Sequence, residues 1–299
     1  LLSLSDLERE EIEELLERAA FHETSLSERR ESSALRGRIL ATLFFQPSTR
    51  TRLSFEAAML RLGGEVIGFA DGELSRSGST WSEPLCDTAR VVAGYADVIV
   101  MRHGDVGAAR ELSDYSHVPV LNAGDGIGAA SEHPSQGLLD LYSIRKNKGR
   151  LDGLCVAIIG GVHQRAAHSL LIGLSRFDDV KIKLVSPDHY RLSAQELARL
   201  KASGLDIQYA AGIEDVIPHA DVIYHNGMSE NPDEGIDDRF LLTPEKARGR
   251  EDALLVLHPL PRAGEITHAF DNLKCAGYFA QSAAGVPLRM ALLESVLLH

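Results

Sequence analysis

Four consecutive side chains, Ser48, Thr49, Arg50 and Thr51, offer three hydroxyls and a guanidinium where an apolar run from Ile39 to Phe45 stops at Pro47. A helical pattern follows, with Leu53, Ala57 and Leu60 on one face. The chain should therefore pass from strand to helix at Ser48. The first backbone N–H groups of a helix have no intrahelical partner and the dipole there favours negative charge, so such a turn can hold an anion. Each hydroxyl can donate one hydrogen bond, and Arg50 adds a planar fork that matches a phosphate. On spacing alone, an ordinary Ser/Thr cap beside a solvated arginine fits equally well.

Further polar groups stand where other strands end. Arg102-His103 follows the strand Val98 to Met101, at the carboxyl edge where α/β sheets bind ligands. A short strand, Val118 to Leu121, runs into the Gly-rich turn Asn122 to Gly126, and His133-Pro134-Ser135-Gln136 then heads a helix from Leu138 to Arg145. Taken alone, His133 reads as a polar helix cap. Gly160-Gly161 after the strand Val156 to Ile159 invites a dinucleotide reading, which fails in detail. The spacing is not G-x-G-x-x-G, and the next strand, Ile182 to Val185, ends in Ser186 rather than an acid for a ribose.

Three strings carry a resemblance. Phe44 to Glu56 (Phe-x-x-Pro-Ser-Thr-Arg-Thr-Arg-x-Ser-Phe-Glu) resembles the carbamoyl-phosphate loop of the aspartate and ornithine carbamoyltransferases. Asn122 to Gly126 with His133 to Asp140 resembles the second signature, and His258-Pro259-Leu260-Pro261-Arg262 the third, in the form typical of aspartate enzymes. The resemblance implies that Ser48, Thr49, Arg50 and Arg102 hold the phosphate and that Thr51, Arg102 and His133 point at the carbonyl oxygen. It also implies that Gln136 and the main-chain carbonyls of Pro259 and Leu260 orient the carbamoyl NH₂, with a cis Leu260–Pro261 bond. Such a reaction needs an anion cradle, donors where negative charge develops and a clamp for the amine, but no protein nucleophile. No metal or organic cofactor is implied, and the departing phosphate takes the amine proton. A homotrimer with shared sites is implied as well, Trp81 reaching a neighbour's site and contacting the phosphate.

The resemblance departs from the aspartate enzymes where the acceptor binds. Arg165 matches the arginine that holds the α-carboxylate, with Met228, Ser229 and Leu260 beside it. Trp81 stands where those enzymes carry Lys, and Asn226-Gly227-Met228-Ser229 replaces an Arg-x-Gln. Glu230, Asp233, Glu234, Asp237 and Asp238 cluster after it, either as a device against a dicarboxylate or as a solvated acidic loop. Three functions follow. The first is a carbamoyltransferase with a non-aspartate amino-acid acceptor. The second is a genuine aspartate carbamoyltransferase of pyrimidine biosynthesis with a rearranged pocket that uses Arg239 or Arg262. The third is an inactive paralogue that serves as a binding or assembly subunit.

The elements that position these residues alternate: strand and helix follow one another from Ile39 to the last helix, Pro287 to Leu298, behind an amphipathic helix over residues 5–19. The expected fold is α/β, with two doubly wound parallel-sheet domains joined by interdomain helices. The polar break Lys146 to Arg150 divides the 299 residues into a carbamoyl-phosphate domain, 1–147, completed by the final helix, 286–299, and an acceptor domain, 148–285. With 44% hydrophobic residues there is apolar material for two cores. The 31 Lys+Arg against 43 Asp+Glu, a net charge of −12, argue against a nucleic acid or an anionic membrane as partner. The three cysteines, Cys86, Cys155 and Cys275, lack zinc or disulfide spacing, which with no signal pattern or spanning run predicts a cytoplasmic protein.

Overall fold

The computed structural model describes residues 1–72, 83–128, 130–228 and 235–298. It divides into two compact units, Leu1–Leu139 with Ala284–His299, and Asp140–Ala283. Along the chain run α1 (Arg9–Ser27), β1 (Ile39–Phe44), α2 (Thr49–Arg61), β2 (Glu65–Phe69), α3 (Leu85–Ala93), β3 (Val98–His103), α4 (Ala108–Tyr115), β4 (Val120–Asp125) and α5 (Pro134–Lys148). There follow β5 (Cys155–Ile159), α6 (Arg165–Leu174), β6 (Lys181–Val185), α7 (Ala194–Ala202), β7 (Asp206–Tyr209) and α8 (Ile213–Val216). The last elements are β8 (Val222–His225), β9 (Leu255–Leu257), α9 (Tyr278–Ala283) and α10 (Gly285–Leu297). The expected α/β class with two parallel sheets is what is found.

In the first unit the order β2-β1-β3-β4 is parallel throughout. Leu40 and Phe44 of β1 pack with Phe55, Met59, Val100 and Leu293 on one face, while Ala41 and Leu43 pack with Ile99, Met101 and Leu112 on the other. Burial on both faces explains why β1 reads as a continuous apolar run instead of an alternating one. The chain leaves β1 in one direction to form β2, then returns to form β3 on β1's other side. That reversal opens a crevice beyond the carboxyl ends of β1 and β3.

The second unit repeats the scheme with the parallel order β7-β6-β5-β8-β9. Its reversal lies between β5 and β8, which puts Gly160-Gly161 and Asn226-Gly227-Met228 side by side at the strand ends.

Several local expectations need correction. Leu53 and Leu60 are 58% and 62% exposed, and the buried stripe of α2 is Phe55, Ala58 and Met59. Both stripes have helical spacing, and the bulkier one packs on the sheet. The first helix is interrupted: a 3-10 turn, Leu4–Asp6, precedes α1, which runs on to Ser27. β3 reaches His103, so Arg102 belongs to the strand itself. Val118 and Pro119 precede β4 instead of opening it. Helix α4, introduced by Gly107 at φ +83, was not anticipated.

Candidate active site

Ser48 is the N-cap residue of α2 in extended conformation, yet its side chain makes no capping hydrogen bond and no acid occupies the first turn. A cap that spends its hydroxyl on its own helix is thus excluded here. The turn keeps the hydroxyl and the opening N–H groups of a 13-residue helix for an outside acceptor. Arg50 and Thr49 are exposed on that turn, whereas Thr51 is buried beneath it.

The neighbouring strands bring the next groups to the same edge. Arg102 is the register partner of Phe44, and its carbonyl accepts from the Phe45 N–H at 2.9 Å. The Arg102 guanidinium lies 3.4 Å from the Ala123 carbonyl of β4. After β4 the chain doubles back: Asp125 and Glu132 exchange main-chain hydrogen bonds, and the Asp125 carboxylate accepts from Asn122 Nδ2 and the Gly107 N–H. This closed loop delivers His133 to the head of α5. Buried His133 stands with Nε2 3.4 Å from Thr51 Oγ1 and Nδ1 3.4 Å from Ser135 Oγ. Buried Gln136, one turn on, follows from the bond between its own N–H and the His133 carbonyl, 2.9 Å. Ser48, Thr49, Arg50, Thr51, Arg102, His133 and Gln136 are thereby gathered at the carboxyl end of one sheet, around its reversal.

The second unit carries the other predicted residues at its own strand ends. Arg165 opens α6, and Met228 and Leu260 pack on the same apolar core. The Leu260–Pro261 peptide is cis, and Leu260 itself has φ +58. The Gly227 carbonyl accepts from the Gly161 N–H at 3.0 Å, and Asn226 Nδ2 donates to the Gly161 carbonyl at 2.7 Å, so the loops after β5 and β8 are tied together. Trp81, Ser229, Glu230, Asp233 and Glu234 lie outside the described residues. Asp237 is described, and it engages Arg239 at 2.6 Å. Arg262 is bound bidentately by Asp271, donates to Tyr278 Oη and lies over the rings of Tyr278 and Phe279. That guanidinium and the Tyr278 hydroxyl hold the Asp271 carboxyl down at about 2. Neither arginine proposed for a rearranged pocket is therefore idle.

Sequence reasoning missed a buried group behind Leu260: His225, His258, Glu265 and Gln281. In the sequence His258 stands out only as part of the third signature. The signal was there in the form of a histidine ending each of two apolar strands, but what the rings face could not be read from the chain. Burial, with the neighbouring His258 adding to it, lowers His225 to about 4. Burial alone would raise Glu265, but hydrogen bonds, chiefly from His258, take it down to about 2.

Among the described residues no helix is long and apolar enough to cross a membrane.

Two family models match the chain. The aspartate/ornithine carbamoyltransferase carbamoyl-P binding domain matches residues 1–146, and the Asp/Orn binding domain of the same enzymes matches residues 152–296. The aspartate carbamoyltransferase catalytic subunit of Methanocaldococcus jannaschii is 42% identical over 304 residues, covering 99% of this chain and 97% of that one. That of Archaeoglobus fulgidus is 43% identical over 305 residues, covering 100% and 99%. Among solved structures, the M. jannaschii catalytic subunit superposes with a TM-score of 0.90 at 41% identity, covering 99% and 97% of the two chains. Trypanosoma cruzi aspartate transcarbamoylase in complex with carbamoyl phosphate and aspartate gives 0.90 at 33% identity, covering 99% and 95%. Likeness of this extent, spanning both units, means that the chain belongs to the aspartate/ornithine carbamoyltransferase family and is a carbamoyltransferase.

Proposed function

We propose that the protein transfers the carbamoyl group of carbamoyl phosphate to the amino group of aspartate. The observation that carries the donor half is the uncapped Ser48 turn beside Arg102 and the Thr51–His133 pair. Ser48, Thr49 and Arg50 hold the phosphate with the α2 N–H groups, and Arg102 shares it. Thr51, Arg102 and His133 donate to the carbonyl oxygen as the amine attacks the carbon and negative charge builds there. Gln136 and the carbonyls of Pro259 and Leu260 accept from the carbamoyl NH₂. The C–O bond to phosphate then breaks, phosphate leaves with the amine proton, and the N-carbamoyl amino acid remains. Aspartate is favoured as the acceptor because full-length relatives above 40% identity bear the name of aspartate carbamoyltransferase catalytic subunits.

One observation favours a second reading, an amino acid without a second carboxylate as acceptor. Asn226, Gly227 and Met228 bring no cation to the strand end, and Arg239 and Arg262 are both engaged by aspartates. Competition between N-phosphonacetyl-L-aspartate and phosphonacetate decides. Under the aspartate reading the former binds at least about 100-fold more tightly, since it adds two carboxylate contacts of roughly 1.5–3 kcal/mol each. A gain of only about 10-fold, that of the α-carboxylate contact alone, transfers the assignment to the second reading. We further infer a homotrimer in which Trp81 serves a neighbour's site. Mixing Trp81→Ala and Arg50→Ala subunits should regenerate some activity, and a monomeric active protein would contradict the inference.

A further inference from the structure

The buried group behind Leu260 forms a continuous hydrogen-bond chain inside the second unit. Asp140 Oδ1 accepts from Gln281 Nε2 at 2.6 Å, and Gln281 Oε1 accepts from the His258 backbone N–H at 2.9 Å. His258 Nδ1 lies 2.7 Å from the Leu260 N–H, and its Nε2 lies 2.6 Å from Glu265 Oε1. Glu265 Oε2 accepts from the Ala263 N–H at 2.7 Å. His225 stacks beside His258, its Nδ1 3.3 Å from the Gly227 N–H and its Nε2 2.8 Å from the Phe240 carbonyl.

Two of these contacts fix protonation without any titration argument. A backbone N–H is only a donor, so the ring nitrogen it meets must carry a lone pair. Nδ1 is therefore unprotonated in both rings, and each proton sits on Nε2. His225 Nε2–H then meets a carbonyl and His258 Nε2–H a carboxylate, so both rings are neutral and satisfied. His225, His258 and Glu265 stand close enough to share a metal ion. Every one of their ligand atoms is engaged in a hydrogen bond in the structure.

The network ends on a conformation that a leucine rarely adopts. At φ +58, Leu260 lies in the left-handed region, which is costly for a non-glycine residue. Its N–H is turned back onto the His258 ring two residues earlier, closing a tight loop. Gln281 holds the base of that loop through the His258 N–H, and Glu265 holds the ring's far edge.

We propose that His258, locked as the neutral Nε2–H tautomer by Glu265, is the positioning residue that sets the main-chain direction at Leu260 and so aims the Pro259 and Leu260 carbonyls at the carbamoyl NH₂. The proposal rests on the role given to those two carbonyls above. His258 touches neither substrate. It acts through the peptide units that do.

Two substitutions separate this role from simple packing. In His258→Asn the amide oxygen sits on Cγ, as Nδ1 does, and can still accept from the Leu260 N–H. In His258→Gln the amide lies one atom further out, where Nε2 was, and leaves that N–H without its acceptor. The Asn variant should keep kcat within about threefold, and the Gln variant should lose about 100-fold in kcat, the scale of a 1 Å misplacement at a reacting group. Affinity for inorganic phosphate, measured by calorimetry, should not change in either. A folded Gln variant with undiminished kcat, or an Asn variant that falls as far as Gln, overturns the proposal. If the Gln variant does not fold, ¹⁵N-histidine NMR of the wild-type protein decides. His258 must show an unprotonated Nδ1 and a protonated Nε2 at neutral pH, and a doubly protonated or Nδ1–H ring overturns it. Wild-type protein that releases no phosphate from carbamoyl phosphate with any amino acid would instead refute the carbamoyl-transfer reading, and the NMR result would still decide the tautomer.

Discussion

Replacing Gly160 by alanine should damage the acceptor half of the reaction and leave the donor half intact. Gly160 ends the strand β5 at φ +91, and a Cβ built on it would lie 2.1 Å from the Gly227 carbonyl oxygen and 3.0 Å from its carbon. Ordinary contact begins near 3.4 Å, so the loop after β8 would have to retreat by more than 1 Å. That loop cannot simply slide, because the Gly161 N–H and Asn226 Nδ2 bind it to the loop after β5. The left-handed backbone adds about 1–2 kcal/mol for a residue with a side chain. A displacement of this size beside a reacting amine costs roughly 100-fold in rate. Gly161→Ala is the matched control: the atoms nearest its Cβ belong to the flexible Gln164 side chain, from Nε2 at 2.7 Å to Cγ at 3.2 Å, and not to main chain, and its φ is unstrained. Steady-state kinetics with aspartate, calorimetry with phosphate and thermal unfolding should be measured on all three proteins. The expected pattern is a loss of about 100-fold in kcat/KM for the acceptor in Gly160→Ala alone, with phosphate affinity unchanged. Wild-type kinetics for Gly160→Ala, or equal damage from Gly161→Ala, would refute the reasoning.

Arg50→Ala should weaken phosphate binding by about 10- to 100-fold, the value of one charge-assisted hydrogen bond, with little change in melting temperature, as calorimetry and thermal scans would report. His133→Ala should lower kcat by about 100- to 1000-fold while phosphate affinity stays near wild type, because its donor acts on charge that appears only in the transition state. His225 titrates at about 4 when folded against 6.5 when unfolded. The unfolded chain therefore binds the extra proton between those values, and stability falls as pH drops from 6.5 to 4, by roughly 3 kcal/mol in all. Urea titrations at pH 7 and pH 4.5 should show this loss in the wild type and a smaller one in His225→Gln. Glu265, at about 2 against 4.5, adds a separate loss only below pH 4.5. Arg262→Gln should lower the melting temperature modestly, since it removes both guanidinium contacts of Asp271 and leaves the Tyr278 hydroxyl, without changing the preference between aspartate and other acceptors.

What the sequence disclosed followed from how local each signal is. The strand-to-helix turn at Ser48 could be read because an apolar run, a proline and a row of donors stand next to one another, and both sheets could be read because buried parallel strands are continuous apolar runs. Which stripe of α2 faces the sheet could not be read, because Leu53/Ala57/Leu60 and Phe55/Met59/Leu62 share one spacing and only the packing partner chooses between them. Helix α4 begins at a left-handed glycine, and its buried stripe, Ala108, Ala109 and Leu112, has helical spacing but is carried by two alanines, a weak apolar signal. The histidines behind Leu260 were hidden for a different reason. A histidine at a strand end is ordinarily a solvated edge, and His225 becomes a buried neutral ring only because Phe240, His258 and Glu265, distant along the chain, close over it.

Where an acceptor's second carboxylate could be gripped depends on which cations are already engaged. Arg262 is fixed by two oxygens of Asp271 and by aromatic faces, and releasing it for a substrate would exchange one carboxylate for another while leaving Asp271 without its guanidinium. Arg239 is exposed and paired with Asp237, a contact worth little and easily exchanged, but solvent screens any grip it could offer. Arg165 differs from both because it opens α6, where the helix dipole adds to its own charge and one carboxylate is favoured. Discrimination between amino acids that share an α-carboxylate is therefore expected from groups other than Arg239 and Arg262. The proposed phosphate cradle, on α2 and β3 in the first unit, should be indifferent to that choice. Phosphate affinity and acceptor selectivity should for this reason respond to different substitutions.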